Sequence, residues 1–471
     1  MFDRHIRAQA IERPNAPAVL MPRGPLSFAM LDAAVNSAAF ELRDIDPPRG
    51  EPVRVDIAYE PLQWVISLGL ARRGIASSPA SDEGCSLTVS DTGSRGASYV
   101  LSPGTIQRIM AGDAAGEVPE AAPPPQALAR VIRTSGTTGE VKRIGLSWAV
   151  VEARTRHALA DYGPFDGPCL VDPRIDTALG LIVTLAAWAS GQPVLWDCSL
   201  DDPLDVARFR PRILSAVPFR LQQFIDALPP DYPKWPLRIV SAGGPIPKPL
   251  NGAIEERLTS KVANIYGSSE AGAVAIADLD AMARVERAAG YVLPNVEVEV
   301  VAPDGAVLPH GELGEIRVRG EKVAGGYLPS ADTGSAFRGG WYYTSDLGRL
   351  EPDGLLIVEG RADDVMNLGG IKVLPAWIEE AVLQCPGVED AAAFALSDTT
   401  SVNSCHVAFV ASAGADPQGL QRALSEQTKH LCHLNLVRIA SIPRNAMGKV
   451  DRKALRELVS SSLADGRPSS A

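Results

Sequence analysis

Apolar residues over the first 130 positions recur in two alternating rhythms. His5 to Arg13 and Phe28 to Leu42 carry them at helical spacing, whereas PVRVDIA (52–58) alternates like a strand and feeds a helix around Leu62 to Arg72. Alternation of this kind predicts an α/β layer structure. Residues 111–127 (AGDAAGEVPEAAPPPQA) predict a surface linker running to the strand ALARVIRT. Thr177 to Trp196 contains no charge, but Gly191-Gln192-Pro193 divides it into an apolar helix of about 13 residues and a short strand VLW, so a buried helix is expected rather than a membrane span. The strand LRIVSAGG (237–244), a helix over 248–258 and the strand KVANIYG (261–267) follow. After Gly290 the pattern becomes antiparallel, with EVEVV, GEIRVRG and LGRLEPDGLLIVEG separated by turns at Asp304-Gly305 and Asp353-Gly354. Beyond Arg361 the expected order is strand, helix (377–384), strand (391–396), strand (406–411), helix (417–431), strand (436–441) and a disordered tail, with no internal repeat.

Composition narrows the class. The chain has 471 residues, 46% hydrophobic and 21% charged, which excludes a mostly disordered, fibrous or collagen-like protein and corresponds to about three domain equivalents. Forty-five basic against 56 acidic residues leave a net charge of −11, spread along the chain. Nucleic acid and anionic membrane surfaces are therefore unsuited partners, and any anionic ligand must be held by local groups. Only nine of the basic residues are Lys, so a Lys inside a motif stands out. Cys85, Cys169, Cys198, Cys385, Cys405 and Cys432 show no paired spacing and read as reduced thiols of a cytoplasmic protein. His430, Cys432 and His433 lack the second ligand pair that zinc needs. The opening MFDRHIRAQAIERP has no apolar core, so no signal peptide is expected.

The segment VIRTSGTTGEVKRI (131–144) offers candidate chemistry. Glycines let backbone N–H groups turn toward an anion, hydroxyls add donors and Lys142 adds charge, which together suit a polyphosphate. It is not a Walker A loop. The same residues also make ordinary turns, so the segment alone leaves both readings open.

TSGTTG followed by Lys142 resembles the phosphate loop of the adenylate-forming superfamily of acyl-CoA synthetases, peptide-synthetase adenylation domains and luciferases. The resemblance implies phosphate contacts from Thr134, Ser135, Gly136, Thr137, Thr138, Gly139 and Lys142. The family's usual Pro-Lys-Gly ending is here Val141-Lys142-Arg143, which puts loop stiffness in question. Four further segments follow in the family's order, the first with a glycine pair just upstream of it. NIYGSSEAG (264–272) resembles its Tyr-Gly-x-[ST]-Glu element, implying that Tyr266 stacks on adenine, Asn264, Gly267 and Ser268 line the nucleotide, Ser269 faces phosphate and Glu270 holds Mg²⁺. SAGGPIP (241–247) resembles the glycine pair that lies against adenine, here Gly243 and Gly244 followed by Pro245. GGWYYTSDLGRLEPDG (339–354) resembles Trp-x-x-Thr-Gly-Asp, with Asp346 accepting from both ribose hydroxyls. Ser345 replaces the usual Gly there, a change expected to be tolerated. EGRADDVMNLGGIKVLPAWIEE (359–380) resembles the domain junction, with Arg361 reaching ribose or phosphate, Asp363 as hinge, and Gly369, Gly370 and Lys372 where an acceptor thiol approaches. IPRNAMGKVDRKAL (442–455) resembles the C-terminal loop whose Lys, here Lys449, bridges the carboxylate and the α-phosphate. With Glu270 and Thr137 it completes the implied catalytic set.

The resemblance runs from His5 to Lys449 and implies the fold shared by that superfamily. A large α/β N-terminal adenylation domain of several sub-domains would cover 1–360, a small mobile α+β C-terminal domain 361–460, and a disordered tail 461–471. It implies an acyl- or aryl-CoA synthetase-like ligase in which ATP, with Mg²⁺, activates a carboxylic acid to an acyl adenylate and pyrophosphate. A thiol then takes the acyl group and AMP leaves. Coenzyme A is the default acceptor, with the phosphopantetheine of an acyl carrier protein, or an amine, as alternatives. The modest length favours a small or aromatic acid, and a monomer or homodimer is expected. The acyl pocket maps to Thr177, Gly180, Phe219, Arg220 and Ser241, with Thr177 where many relatives carry His. Arg174 and Arg220 are candidates to meet a second carboxylate or a polar substituent. An alternative of another class is a nucleotide-binding scaffold that lost catalysis. It predicts damaged motifs, yet Thr137, Glu270, Asp346 and Lys449 all survive, and only Val141, Arg143 and Ser345 favour it.

Overall fold

The computed structural model describes residues 3–93, 96–135, 141–329, 333–334, 336–368, 371–397, 403–411, 434–444 and 450–464. Gly136, Thr137, Thr138, Gly139, Gly369, Gly370 and Lys449 lie outside the described residues, as do the helix expected over 417–431 and the group His430, Cys432 and His433. Contacts divide the chain into two compact units. One comprises Met1–Glu299, Arg317–Tyr343 and Asp353–Leu356, the other Val300–Ile316, Thr344–Pro352 and Ile357–Ala471.

In the first unit six strands run parallel in the order Pro17–Leu20, Val194–Leu195, Cys169–Val171, Ile213–Ala216, Arg238–Ala242 and Val262–Ser268. Antiparallel strands flank them, Leu26–Ser27 at one end and Gly272–Ala277 with Ala288–Val292 at the other. Parallel strands are stable when covered on both faces, and successive residues point to opposite faces. Accordingly Ile213 and Val240 join one hydrophobic core while Leu214 and Ile239 join another. The apolar run expected as a buried helix is Ala178–Ala189, with Trp188 edge-on to Trp64 at 5.1 Å. Among the described residues no helix is long and apolar enough to cross a membrane.

A second sheet of this unit runs Tyr99–Val100, Leu87–Ser90, Val53–Asp56, Ser77–Pro79, Leu128–Ser135 and Val141–Ser147, parallel except for the last pair. Its antiparallel hairpin places Thr134 opposite Lys142, so both ends of the expected phosphate loop leave the same hairpin. Buried Arg130 on the incoming strand donates to Ser77 Oγ at 2.9 Å and to Asp176 at 2.8 Å.

The second unit contains the hairpin Met366–Leu368 with Ile371–Val373, and a three-stranded sheet of Val388–Ser397, Asn403–Ala411 and Leu434–Arg438. The helix Pro375–Leu383 matches the expected one. The helix Arg452–Ala464 does not: it was unexpected and runs through Ala464, inside the segment expected as a disordered tail. Its causes are local. Asp451 Oδ1 accepts from the backbone N–H groups of Lys453 and Ala454, and Leu455 and Val459, four apart, pack with Phe394 and Ala408.

Candidate active site

Four of the candidate segments leave the carboxyl ends of neighbouring parallel strands. Residues 172–180 follow Cys169–Val171, residues 217–220 follow Ile213–Ala216, residues 243–245 follow Arg238–Ala242, and Ser269-Glu270 follow Val262–Ser268. In open α/β sheets this edge is where ligands bind. Two features there suit a polar ligand. Ser241 and Asn264 face each other across adjacent strands, both are buried, and neither Ser241 Oγ nor Asn264 Oδ1 has a hydrogen-bond partner among the described residues. Buried polar atoms are normally satisfied, so such a pair calls for a ligand or water. Beside them Gly243 turns the chain at φ +96°, and a Cβ added at Gly244 would meet no atom within 4 Å among the described residues beyond its chain neighbours.

The remaining pocket candidates serve the scaffold first. Thr177 caps the helix Ala178–Ala189, its Oγ1 accepting from Gly180 N at 3.0 Å and donating to the Arg174 carbonyl at 2.9 Å. A side chain at Gly180 would collide with the carbonyl oxygens of Pro173 and Arg174. Arg220 is already matched, donating to Asp172 at 3.2 Å and to Asp201 at 2.8 Å. Arg174 donates to the Ala58 carbonyl and to Gln63 Oε1. Arg220 therefore presents no unmatched charge to a second carboxylate, whereas half-exposed Arg174 has Glu60 at 3.9 Å as its carboxylate neighbour. Phe219 is exposed at the start of the helix Pro218–Asp226.

Glu270 lies deeper, 7% exposed. Tyr327 Oη donates to its Oε1 at 3.0 Å, and no described residue hydrogen-bonds its Oε2. The Tyr327 ring faces the Lys142 ammonium at 4.8 Å. Two sequence motifs more than a hundred residues apart thus meet through a tyrosine that sequence reasoning did not select. Behind Glu270, buried Arg154 donates to the carbonyl oxygens of Ser269 at 2.9 Å, Glu270 at 3.0 Å and Lys322 at 2.9 Å. A signal existed for Arg154: it lies three residues beyond Val151 and four before Ala158, on the apolar stripe of the helix Trp148–Asp161. Tyr327, inside an irregular segment, carried none. Ser268 Oγ accepts from Ala271 N and tightens the same turn, and Tyr266 stands half-buried on Val262–Ser268.

The unusual Arg143 has a defined role. Its guanidinium pairs with buried Asp82 at 2.7 Å and donates to the Gly84 carbonyl at 3.1 Å, fastening the outgoing strand of the phosphate-loop hairpin. Burial works to raise the Asp82 carboxyl, but bonds from Ser78, Arg143 and Gly84 N outweigh it and hold the group below its ordinary value.

In the second unit Asp346 is half-buried and pairs with Arg361, Nη1 to Oδ1 at 3.3 Å. The other arm of Arg361 lies 3.4 Å from Asp363, in the 3₁₀ turn Ala362–Asp364. Lys372 is exposed on Ile371–Val373, opposite Asn367. Ser345 adopts φ +60°, a left-handed conformation that costs a non-glycine residue about 1 kcal/mol or more. A serine in place of Gly there therefore carries backbone strain beside Asp346.

These residues fit Mg²⁺ and a nucleotide. Among the described residues no cluster of three or more His, Cys, Asp or Glu side chains could cage a metal. A buried carboxylate with one oxygen uncommitted suits Mg²⁺, which takes one or two protein carboxylates and completes its shell with water and substrate phosphates. The open glycine corner beside two unsatisfied polar atoms suits a planar polar ring.

The fold and these groups suit a nucleotide-using α/β enzyme. Comparison with known proteins gives the family: residues 81–328, just over half of the chain, match the model for the AMP-binding enzyme family, and the chain belongs to it, within the adenylate-forming superfamily. A 2-succinylbenzoate–CoA ligase of Bacillus cereus is 30% identical over 346 residues, 70% of each chain. The 4-coumarate–CoA ligase CCL1 of Humulus lupulus is 32% identical over 231 residues, 46% of this chain but only 42% of that one. Among solved structures, ATP-bound MatB from Rhodopseudomonas palustris shares the fold with a TM-score of 0.84 at 24% identity, covering 97% of this chain and 98% of that one.

Proposed function

We propose that this chain activates a small or aromatic carboxylic acid as its acyl adenylate and passes the acyl group to a thiol. The observation that carries the reading is the meeting of an open glycine corner, two unsatisfied buried polar atoms and the buried Glu270 carboxylate along one sheet edge. The identified relatives include ligases of 2-succinylbenzoate and 4-coumarate, which supports an aromatic acid.

In this reading Tyr266, Gly243, Gly244 and Asn264 receive the adenine ring, and Asp346 with Arg361 receives the ribose. Thr134, Ser135, Gly136, Thr137, Thr138, Gly139, Lys142 and Ser269 receive the phosphates. Glu270 would hold Mg²⁺, which would offset negative charge on the phosphate oxygens. Lys449 draws the carboxylate onto the α-phosphate, its ammonium offsetting their repulsion. The carboxylate oxygen attacks phosphorus and pyrophosphate leaves. The segment from residue 361 then turns about Asp363, withdrawing Lys449 and presenting Gly369, Gly370 and Lys372 to the incoming thiol. Its sulfur attacks the acyl carbonyl and AMP departs. Coenzyme A is the acceptor we favour, with carrier-protein phosphopantetheine or an amine as the alternatives.

Pyrophosphate exchange into ATP against a panel of aryl and short acyl acids, followed by AMP release with coenzyme A or holo carrier protein, tests the reading. Exchange with none of the acids would favour a catalytically inactive nucleotide-binding scaffold instead. Lys449→Ala should abolish acid-dependent pyrophosphate release while largely sparing thioester formation from preformed adenylate. Equal loss of both steps would refute the division of labour.

A further inference from the structure

We infer that Tyr327 and Arg154 are positioning residues that brace Glu270 for its cation, Tyr327 by orienting the carboxylate and Arg154 by fixing the turn that bears it. The inference rests on the reading of Glu270 as a Mg²⁺ ligand. A glutamate side chain ends in a soft torsion, so a buried carboxylate needs a partner to hold one orientation. Tyr327 Oη supplies it at 3.0 Å on Oε1, which leaves Oε2 as the oxygen available to a hard cation. The tyrosine is itself immobilised. It is 5% exposed, stands edge-on to Phe337 at 5.4 Å, pairs as an isolated bridge with Ile144, and its N–H donates to Thr333 Oγ1.

Arg154 acts on the backbone. Its guanidinium bonds the carbonyl oxygens of two consecutive turn residues, Ser269 and Glu270, and that of Lys322 across the chain. The Ala324 N–H also donates to the Glu270 carbonyl, at 2.7 Å. The segment 322–327 is thereby sewn to the Glu270 turn at three points: main chain, guanidinium and phenol. A cation placed against three carbonyl dipoles resists withdrawal, because breaking those bonds would strand a buried charge.

The test compares Tyr327→Phe, Arg154→Met and Glu270→Gln with the wild-type chain. Three quantities are read: Mn²⁺ affinity in the presence of ATP by electron paramagnetic resonance, metal-free AMP binding by calorimetry, and the melting temperature. Tyr327→Phe keeps the ring with its Lys142 and Phe337 contacts and removes one hydroxyl. It should weaken Mn²⁺ binding about tenfold, in line with the loss of other groups that orient metal ligands, while AMP binding and melting temperature stay at wild-type values. Arg154→Met should weaken Mn²⁺ similarly and also lower the melting temperature. If that variant does not fold, Tyr327→Phe decides alone. Wild-type Mn²⁺ affinity in Tyr327→Phe overturns the brace. If Glu270→Gln weakens Mn²⁺ binding in the same experiment, the metal role of Glu270 stands and only the brace falls. Unchanged Mn²⁺ affinity in Glu270→Gln overturns both.

Discussion

Gly244 separates what the fold needs from what the ligand needs. Its backbone is not in the left-handed region, and an added Cβ would touch nothing among the described residues beyond its chain neighbours. Gly244→Ala should leave the melting temperature unchanged and raise the KM for ATP by roughly an order of magnitude, the usual scale for one methyl forced into a filled site. Thermal melts beside initial-rate kinetics check this, and an unchanged KM would place the nucleotide elsewhere. The neighbouring Gly243, at φ +96°, would confound the same experiment because its alanine variant strains the backbone. The sequence singles out candidates where chemistry demands one residue type at one spacing, as at Glu270, Asp346 and the glycine pair. The apolar stripe of its helix marked Arg154 as buried but not as a partner of the Glu270 turn, and nothing marked Tyr327, because their work is done by contacts across 115 and 57 positions. The pairing of Arg220 with Asp172, 48 positions away, escaped notice for the same reason.

At the scale of elements, Arg452 shows how one side chain organises the second unit. It is the first residue of the helix Arg452–Ala464, and its guanidinium donates to Glu379 Oε1 at 2.6 Å and to the Ala393 carbonyl at 3.3 Å, with Asp364 at 3.6 Å. The helix Pro375–Leu383, the strand Val388–Ser397 and the turn Ala362–Asp364 are joined through it. Burial pushes the Glu379 carboxyl upward against the pull of Arg452. Arg452→Leu should leave that carboxylate without its cation and destabilise the unit by about 2 kcal/mol, reduced from a fully buried pair because both side chains keep some solvent contact. Amide exchange should quicken in Val388–Ser397 and Asn403–Ala411 and stay unchanged in Arg238–Ala242. Uniform change across both units would refute a local role. The helix itself was missed because three serines follow Val459 and read as tail, whereas Leu455 and Val459 supply the only apolar pair it needs to dock. The parallel strands were legible because continuous apolar runs bounded by glycine leave few other solutions.

Across the whole molecule, the distribution of buried ionisable groups sets a pH response. The Cys85 thiol is pushed up to about 11, by burial first and then by nearby Asp82, and burial pushes Cys198 to about 12 and Cys169 higher still. An unfolded chain releases these protons near 9 while the folded chain retains them. Each thiol therefore contributes stability that is complete below pH 9 and is lost as pH climbs toward its folded value. Lys322 works in the opposite sense. Burial lowers its ammonium to about 8, so between pH 8 and the unfolded value of 10.5 the folded chain has already shed a proton that the unfolded chain still holds, and stability rises there. Three thiols outweigh one amine once pH passes 9, and the melting temperature should fall from pH 9 to 11. Replacing the two half-buried thiols, as Cys85→Ser with Cys198→Ser, removes their share and should make that fall shallower while leaving the melting temperature at pH 7 nearly unchanged. Calorimetric scans of both proteins at pH 7, 9, 10 and 11 measure the difference. Parallel curves would move the alkaline loss from the thiols to the buried tyrosines, whose hydroxyls burial also raises at Tyr162 and Tyr232.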